Sequence, residues 1–150
     1  MPFVDVALAE AKKGMSVKME EILKKIGISE KTINQMEEIC PNIKDLTNEE
    51  VLSKIKILKN INCDDIQIRN IISSNAMYLD KSNTDINKLI NELRKLGFDN
   101  LDLLFDGNPN ILNLDDFEVR KYIEDREKNG ELLEDIVDDM SSNLFIFEEI

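Results

Sequence analysis

The chain contains no histidine, which removes histidine-based acid–base catalysis. The absence of histidine excludes Ser-His and Cys-His nucleophiles and nearly all zinc and haem sites. Cys40 and Cys63 are separated by 23 positions, form no CxxC pattern and have no basic neighbour to activate a thiolate. We expect both to be reduced, buried thiols of a cytoplasmic protein.

Adjacent carboxylates are the remaining candidates for catalysis. Pairs such as Asp115-Asp116 and Asp138-Asp139 are sequence neighbours, so on a helix they point about 100° apart and do not face one another. The sequence contains no GxxxxGK[ST] or GxGxxG, and the stretch that begins at Asp106 has Ile111 and Phe117 where a calcium loop needs Gly and Glu. We therefore predict no catalytic residue, no metal and no cofactor, hence a protein that is not an enzyme.

Length and composition are typical of one soluble globular domain. The chain has 150 residues, of which 42% are apolar and 33% are charged, enough to bury a core without metals or disulfides. No run approaches the roughly 18 apolar residues of a membrane span. The first residues include Asp5 and only a short apolar stretch, which does not fit a secretory signal.

The net charge of −12 belongs entirely to the last third of the chain. Residues 1–98 hold 15 acids and 15 bases, whereas residues 99–150 hold 16 acids and 4 bases. A negative field repels phosphate backbones and attracts basic surfaces, although net charge also serves solubility alone.

A repeat organises the rest of the sequence. Four similar segments begin at Cys40, Asn75, Asn108 and Asn143, spaced by 35, 33 and 35 residues, and we call these four positions the junction residues. Each is preceded by a turn, at Gly27-Ile28, Asn62-Cys63, Gly97-Phe98 and Gly130-Glu131. A fixed period in the range of roughly 20–50 residues is typical of stacked supersecondary units.

Apolar residues between these markers recur with helical spacing and show no useful period-2 alternation. Ile86, Leu89, Ile90 and Leu93 form one such stripe, and Thr47–Glu50 and Ser82–Asp85 fit capping boxes at helix starts. We predict an all-α helical repeat of about four ~34-residue helix–turn–helix units, similar to an α-solenoid. The predicted boundaries are an N-terminal helix and cap over 1–14 and repeats over 15–43, 44–79, 80–112 and 113–147.

Two further expectations concern the junctions and the C-terminal tail. Pro41 and Pro109 suit connectors, and the apolar residues after them, such as Ile43 and Ile111, should anchor these connectors. The apolar tail over 144–150 either docks back as a cap on the last repeat or contacts another chain.

The junctions resemble the repeats of the mitochondrial transcription termination factor (mTERF) family. The unit over 85–112 matches best, with Leu96-Gly97-Phe98 opening a short helix before Asn108-Pro109-Asn110-Ile111-Leu112. The resemblance implies a helical superhelix that binds nucleic acid through basic residues. The candidate residues in this chain are Lys54, Lys56, Lys59, Arg69, Lys88, Arg94 and Lys95.

Acidic residues near the C-terminus suggest a different partner. Glu131, Glu134, Asp135, Asp138 and Asp139 have no base among them, and Glu131–Asp135 and Glu134–Asp138 would be unfavourable like-charge pairs on one helix. Our leading interpretation is a helical-repeat module that docks a protein with a basic surface through these acids. Nucleic-acid binding by the net-neutral repeats, or mimicry of nucleic acid by an inhibitor from bacteria or phage, are the alternatives.

Overall fold

The computed structural model describes residues 19–150 as helices joined by short turns, with no β-strand in that range. This confirms the predicted all-α class. The predicted N-terminal helix over 1–14 lies outside the described residues. The chain divides into two compact units, residues 1–81 and 82–150, with the division beside the predicted repeat boundary at 79/80. The repeat boundaries themselves stay a prediction.

The described part of the first unit runs from residue 19 to residue 81 and is a series of helices joined by short turns. Five α-helices and one 3₁₀ helix are described in it. They are α1 (Met19–Lys25), α2 (Glu30–Ile39), the 3₁₀ helix Pro41–Asp45, α3 (Asn48–Asn60), α4 (Asp65–Ser74) and α5 (Met77–Asp80). Helices α1 and α2 form the first helix pair, and α3 and α4 form the second. Helix α1 packs on α3, and α2 packs on α4, so each helix of the first pair contacts its counterpart in the second.

The second unit repeats this plan. Its elements are α6 (Asn83–Leu96), α7 (Leu101–Gly107), the 3₁₀ helix Pro109–Asn113, α8 (Asp116–Lys128), α9 (Leu133–Ser142) and the 3₁₀ helix Leu144–Glu149. Helices α6 and α7 form the third helix pair, and α8 and α9 form the fourth. The first helices of these two pairs, α6 and α8, pack against each other. Phe147, from the tail, is buried and its ring lies 5.8 Å from that of Phe98, whereas Phe145 is 74% exposed.

All four turns have the same hydrogen-bonded geometry. Gly27, Asn62, Gly97 and Gly130, the turn residues, have φ values of 98°, 73°, 102° and 91°. In each turn the amide of the next residue donates to the carbonyl four residues before the turn residue, as Phe98 does to Leu93 at 3.0 Å. This is the Schellman end of a helix, in which a left-handed residue lets the chain reverse at once.

The four junction residues also share one conformation. Cys40, Asn75, Asn108 and Asn143 have φ between −132° and −147° and ψ between 79° and 90°. Each amide donates to the carbonyl four residues earlier, which ends the short helix. The Asn108 side chain also donates to the carbonyl of Leu144, at 3.2 Å, and so ties one junction to the next.

Buried residues follow the predicted periodicity within each unit. The apolar connector residues Ile43, Ile111 and Leu112 are buried, as expected. Thr47 and Ser82 accept the predicted capping hydrogen bonds from Glu50 and Asp85. Among residues 19–150, reciprocal capping boxes are formed by Asp64 with Gln67 and by Asp115 with Glu118.

We expect Gly97→Ala to lower the free energy of unfolding by about 1 kcal/mol, because an L residue is strained at φ 102°. An added Cβ would meet no atom within 4 Å, so the loss would report backbone strain alone. Gly97→Asn should cost less, because Asn62 already occupies the equivalent turn. Urea unfolding of the three proteins measures this, and equal stability of Gly97→Ala and wild type would contradict it.

Candidate nucleic-acid interface

The solvent face of α6 carries positive charge. Its apolar stripe (Ile86, Leu89, Ile90 and Leu93) is buried, which turns the remaining positions outwards. After the first turn, the exposed side chains on this helix are Asn87, Lys88, Asn91, Arg94 and Lys95. No ion pair engages these three bases within residues 19–150. The face therefore offers three cations and two hydrogen-bonding amides.

One acid of α6, Glu92, is held by another helix. Glu92 on α6 accepts two hydrogen bonds from Arg120 of α8, from Nε at 3.0 Å and from Nη2 at 3.2 Å. The hydrogen bond to Glu92 raises the pKa of Arg120, and Asp116 adds to this effect. A bidentate contact of this kind fixes the carboxylate. Glu92 thus faces Arg120 rather than the exposed bases.

One predicted nucleic-acid contact is wrong, because Lys54 is buried, with 4% of the residue exposed. It lies on the core side of α3, one turn from Val51 and from Leu58, which are both fully buried. Burial lowers the pKa of Lys54, while the charges of Glu50 and Asp80 act in the opposite direction. The lysine is therefore part of the packing of the first unit.

The backbone of Lys54 also takes part in this packing. Its carbonyl accepts a hydrogen bond of 2.6 Å from the buried hydroxyl of Tyr78. Burial raises the pKa of Tyr78, so the hydroxyl keeps its proton and its donor role.

The other predicted basic residues lie in different settings. Lys56 and Lys59 are exposed on α3, and Arg69 of α4 is partly buried. Arg69 lies beside Gly27, where an added Cβ would come within 3.1 Å of its Cδ. Of the seven candidates, the structure brings Lys88, Arg94 and Lys95 together on one helix.

Ion pairs engage two of the five acids in the predicted acidic surface. Glu131 lies before α9, which begins at Leu133, so the expected like-charge helical pair with Asp135 is absent. A base from the preceding helix engages two of these acids, because Arg126 of α8 pairs with Glu131 and, at 2.9 Å, with Asp139. Glu134, Asp135 and Asp138 remain exposed on α9. Sequence spacing did not reveal Arg126 as a partner, since it lies 13 residues from Asp139.

A recurrence of bases escaped the sequence analysis. The position three residues before the turn residue is occupied by Lys24, Lys59 and Arg94 in the first three helix pairs. In the fourth pair it is occupied by Glu127. An alignment on the turn residues would have revealed this. Cations at a helix C-terminus are favoured by the helix dipole, which accounts for part of the pattern.

Other chemistry is sparse in the described residues. Cys40 and Cys63 are buried free thiols, as expected. Between residues 19 and 150, no group of Cys, Asp or Glu side chains is arranged to hold a metal ion. None of the helices described there is both long enough and apolar enough to cross a membrane.

A family model described as mTERF matches residues 6–137. The chain belongs to the mTERF family. This confirms the predicted resemblance and agrees with the helical architecture, because mTERF proteins are helical-repeat proteins. Members of the family are generally binding proteins without enzymatic activity, and they typically bind nucleic acid. No curated protein and no solved structure matched the chain.

The burial of Lys54 predicts a pH-dependent effect of Lys54→Met. Because burial lowers its pKa below 10.5, the unfolded chain binds this proton more tightly than the folded protein. Wild-type stability should therefore rise with pH between the lowered pKa and the ordinary one. We expect the stability of Lys54→Met relative to wild type to be highest at pH values below the lowered pKa and to fall as the pH rises towards 10.5.

Urea unfolding at several pH values measures this difference. Lys56→Met is the matched control, because Lys56 lies on the same helix and is exposed. A difference for Lys54→Met that is independent of pH would contradict the prediction.

Proposed function

We propose that this mTERF protein binds nucleic acid and that the exposed face of α6 contacts the phosphate backbone. The observation that carries the proposal is the grouping of Lys88, Arg94 and Lys95 on one helix face, with Glu92 turned towards Arg120. Membership of a family that typically binds nucleic acid supports the same function.

The chemistry of this face suits phosphate. Lysine and arginine neutralise phosphate charge and release counterions, which supplies most of the affinity of non-specific binding. Asparagine side chains also donate to phosphate and sugar oxygens and thereby fix orientation. Asn87 and Asn91 alternate with the three bases along α6, so both kinds of contact are available on one helix.

The overall net charge of −12 opposes binding at long range. At physiological ionic strength the Debye length is about 8 Å, so charges farther apart than this are largely screened when exposed. Contacts made directly by α6 are short-range and lose less to the distant acids. Because phosphate contacts release counterions, we expect binding to be strongest at low salt and to weaken steeply as salt is added.

Binding should depend on the three bases of α6. We expect Lys88→Ala/Arg94→Ala/Lys95→Ala to weaken binding to a short DNA duplex by about tenfold or more at low salt. If each base neutralises one phosphate, the magnitude of the negative slope of log K against log salt should decrease by about 2.7 in the variant. Fluorescence anisotropy with the labelled duplex, and with a single-stranded RNA as a second probe, measures both quantities.

The matched control removes three positive charges elsewhere. Lys31, Lys121 and Lys128 are exposed, so Lys31→Ala/Lys121→Ala/Lys128→Ala has the same net charge as the α6 variant. We expect this control to lose much less affinity. Equal losses in both variants, or no binding of either probe by wild type at low salt, would refute the proposal.

A second candidate function follows from α9. Glu134, Asp135 and Asp138 are exposed there, and no ion pair engages them within residues 19–150. We propose that this face docks a protein with a basic surface, including one whose basic groove otherwise holds nucleic acid. The like-charge pair Glu134–Asp138 is retained on one helix, at a cost of about 0.2–0.5 kcal/mol.

Charge reversal on α9 tests this second function. We expect Glu134→Lys/Asp138→Lys to abolish recovery of a basic partner from a cell extract, because the substitutions turn attraction into repulsion. Quantitative mass spectrometry of the captured proteins is the readout. Glu148→Lys/Glu149→Lys changes the charge equally at two exposed positions and should retain the partner. Loss of the partner with both variants would show that only net charge matters.

A further inference from the structure

Backbone hydrogen bonds define three equivalent positions in every helix pair. The first is the residue whose carbonyl accepts a hydrogen bond from the amide of the residue that follows the turn residue. The second is the residue that donates this amide. The third is the residue whose carbonyl accepts a hydrogen bond from the amide of the junction residue. In the third pair these positions are Leu93, Phe98 and Leu104.

The three positions are apolar and buried in the first three pairs. None of the nine residues is more than 7% exposed. They are Leu23, Ile28 and Met36 in the first pair, Leu58, Cys63 and Ile71 in the second, and Leu93, Phe98 and Leu104 in the third. Within the first unit, the helices of the second pair pack against those of the first.

The fourth pair has charged residues at the same three positions. The same hydrogen bonds assign them to Arg126, Glu131 and Asp139, because the amide of Glu131 donates to Arg126 and that of Asn143 donates to Asp139. Their side chains are 19%, 39% and 51% exposed. Arg126 pairs with both acids, and its guanidinium lies 5.8 Å from the centre of the Tyr122 ring.

The physical consequence concerns what this face can contact. Apolar side chains at these positions gain free energy when they are covered. The ion-paired cluster would lose hydration if another helix pair covered it, and the penalty of burying such charges can exceed their mutual attraction. The cluster is satisfied while it remains in contact with water. Hydrogen bonding to Arg126 lowers the pKa of Glu131, so this carboxylate stays ionised at neutral pH.

We propose that Arg126, Glu131 and Asp139 form a charged cap that closes the end of the second unit against a second copy of this chain. Repeat proteins need a polar outer face on their terminal repeat, because each internal repeat leaves an apolar face for its neighbour. The backbone of the fourth pair keeps the repeat geometry, and only its side chains change. This inference is independent of the proposed nucleic-acid binding.

The test converts the cap into the apolar surface of the third pair. We expect Arg126→Leu/Glu131→Phe/Asp139→Leu to remain helical and to form a concentration-dependent dimer through two identical apolar faces. Its association constant, measured by sedimentation equilibrium, should exceed that of wild type by at least about tenfold. Circular dichroism and thermal unfolding report whether the fold is retained.

The control places the same residues on another surface. Lys121→Leu/Glu124→Phe/Asp125→Leu removes one base and two acids from exposed positions of α8 and adds the same apolar side chains. We expect no comparable dimer. A folded cap variant that associates no more than wild type, or a control that associates equally, would overturn the proposal.

A variant with two substitutions tests the proposal even if the triple variant does not fold. Arg126→Leu/Glu131→Phe leaves Asp139 in place and should dimerise more weakly than the triple variant while keeping its helical content. Unfolding of both variants would also overturn the proposal, since it would show that these positions do not accept the apolar residues of the other pairs.

Discussion

The way each helix ends is the constraint on which the rest of the structure depends. A left-handed residue after the first helix of each pair reverses the chain, and an extended junction residue after the second helix starts the next connector. Both ends are closed by backbone hydrogen bonds that need no particular side chain. Because a single helix pair cannot bury its apolar stripe alone, the two pairs within each unit pack against each other.

A fixed backbone frees the side chains to differ between repeats. Leu93 and Arg126 accept equivalent hydrogen bonds through their carbonyls, yet one is buried in the core and the other forms ion pairs. The same freedom lets α6 carry bases on its outer face while α9 carries acids. Function in this fold therefore depends on which side chains occupy repeated positions, and the positions themselves are set by the helix ends.

The helices were predictable because their signals are local. Apolar spacing of three and four residues located the stripes, and the turns at Gly27, Asn62, Gly97 and Gly130 were recognised from spacing and residue type. The ion pairs were not predictable, because Arg120 meets Glu92 from a position 28 residues away. Lys54 was misread because its charge suggested the surface, although its spacing from Val51 and Leu58 placed it on the buried side of α3.

Net charge is a poor guide to what this surface can bind, because some charged side chains form ion pairs and others do not. Glu92 is bound by Arg120, and Glu131 and Asp139 share Arg126, so these acids act mainly on their own partners. The bases of α6 have no such partner among the described residues. An approaching phosphate interacts most strongly with the charges within a few ångströms of it, since exposed charges beyond a Debye length are screened. A chain with a net charge of −12 can therefore present a local group of bases that attracts anions at short range.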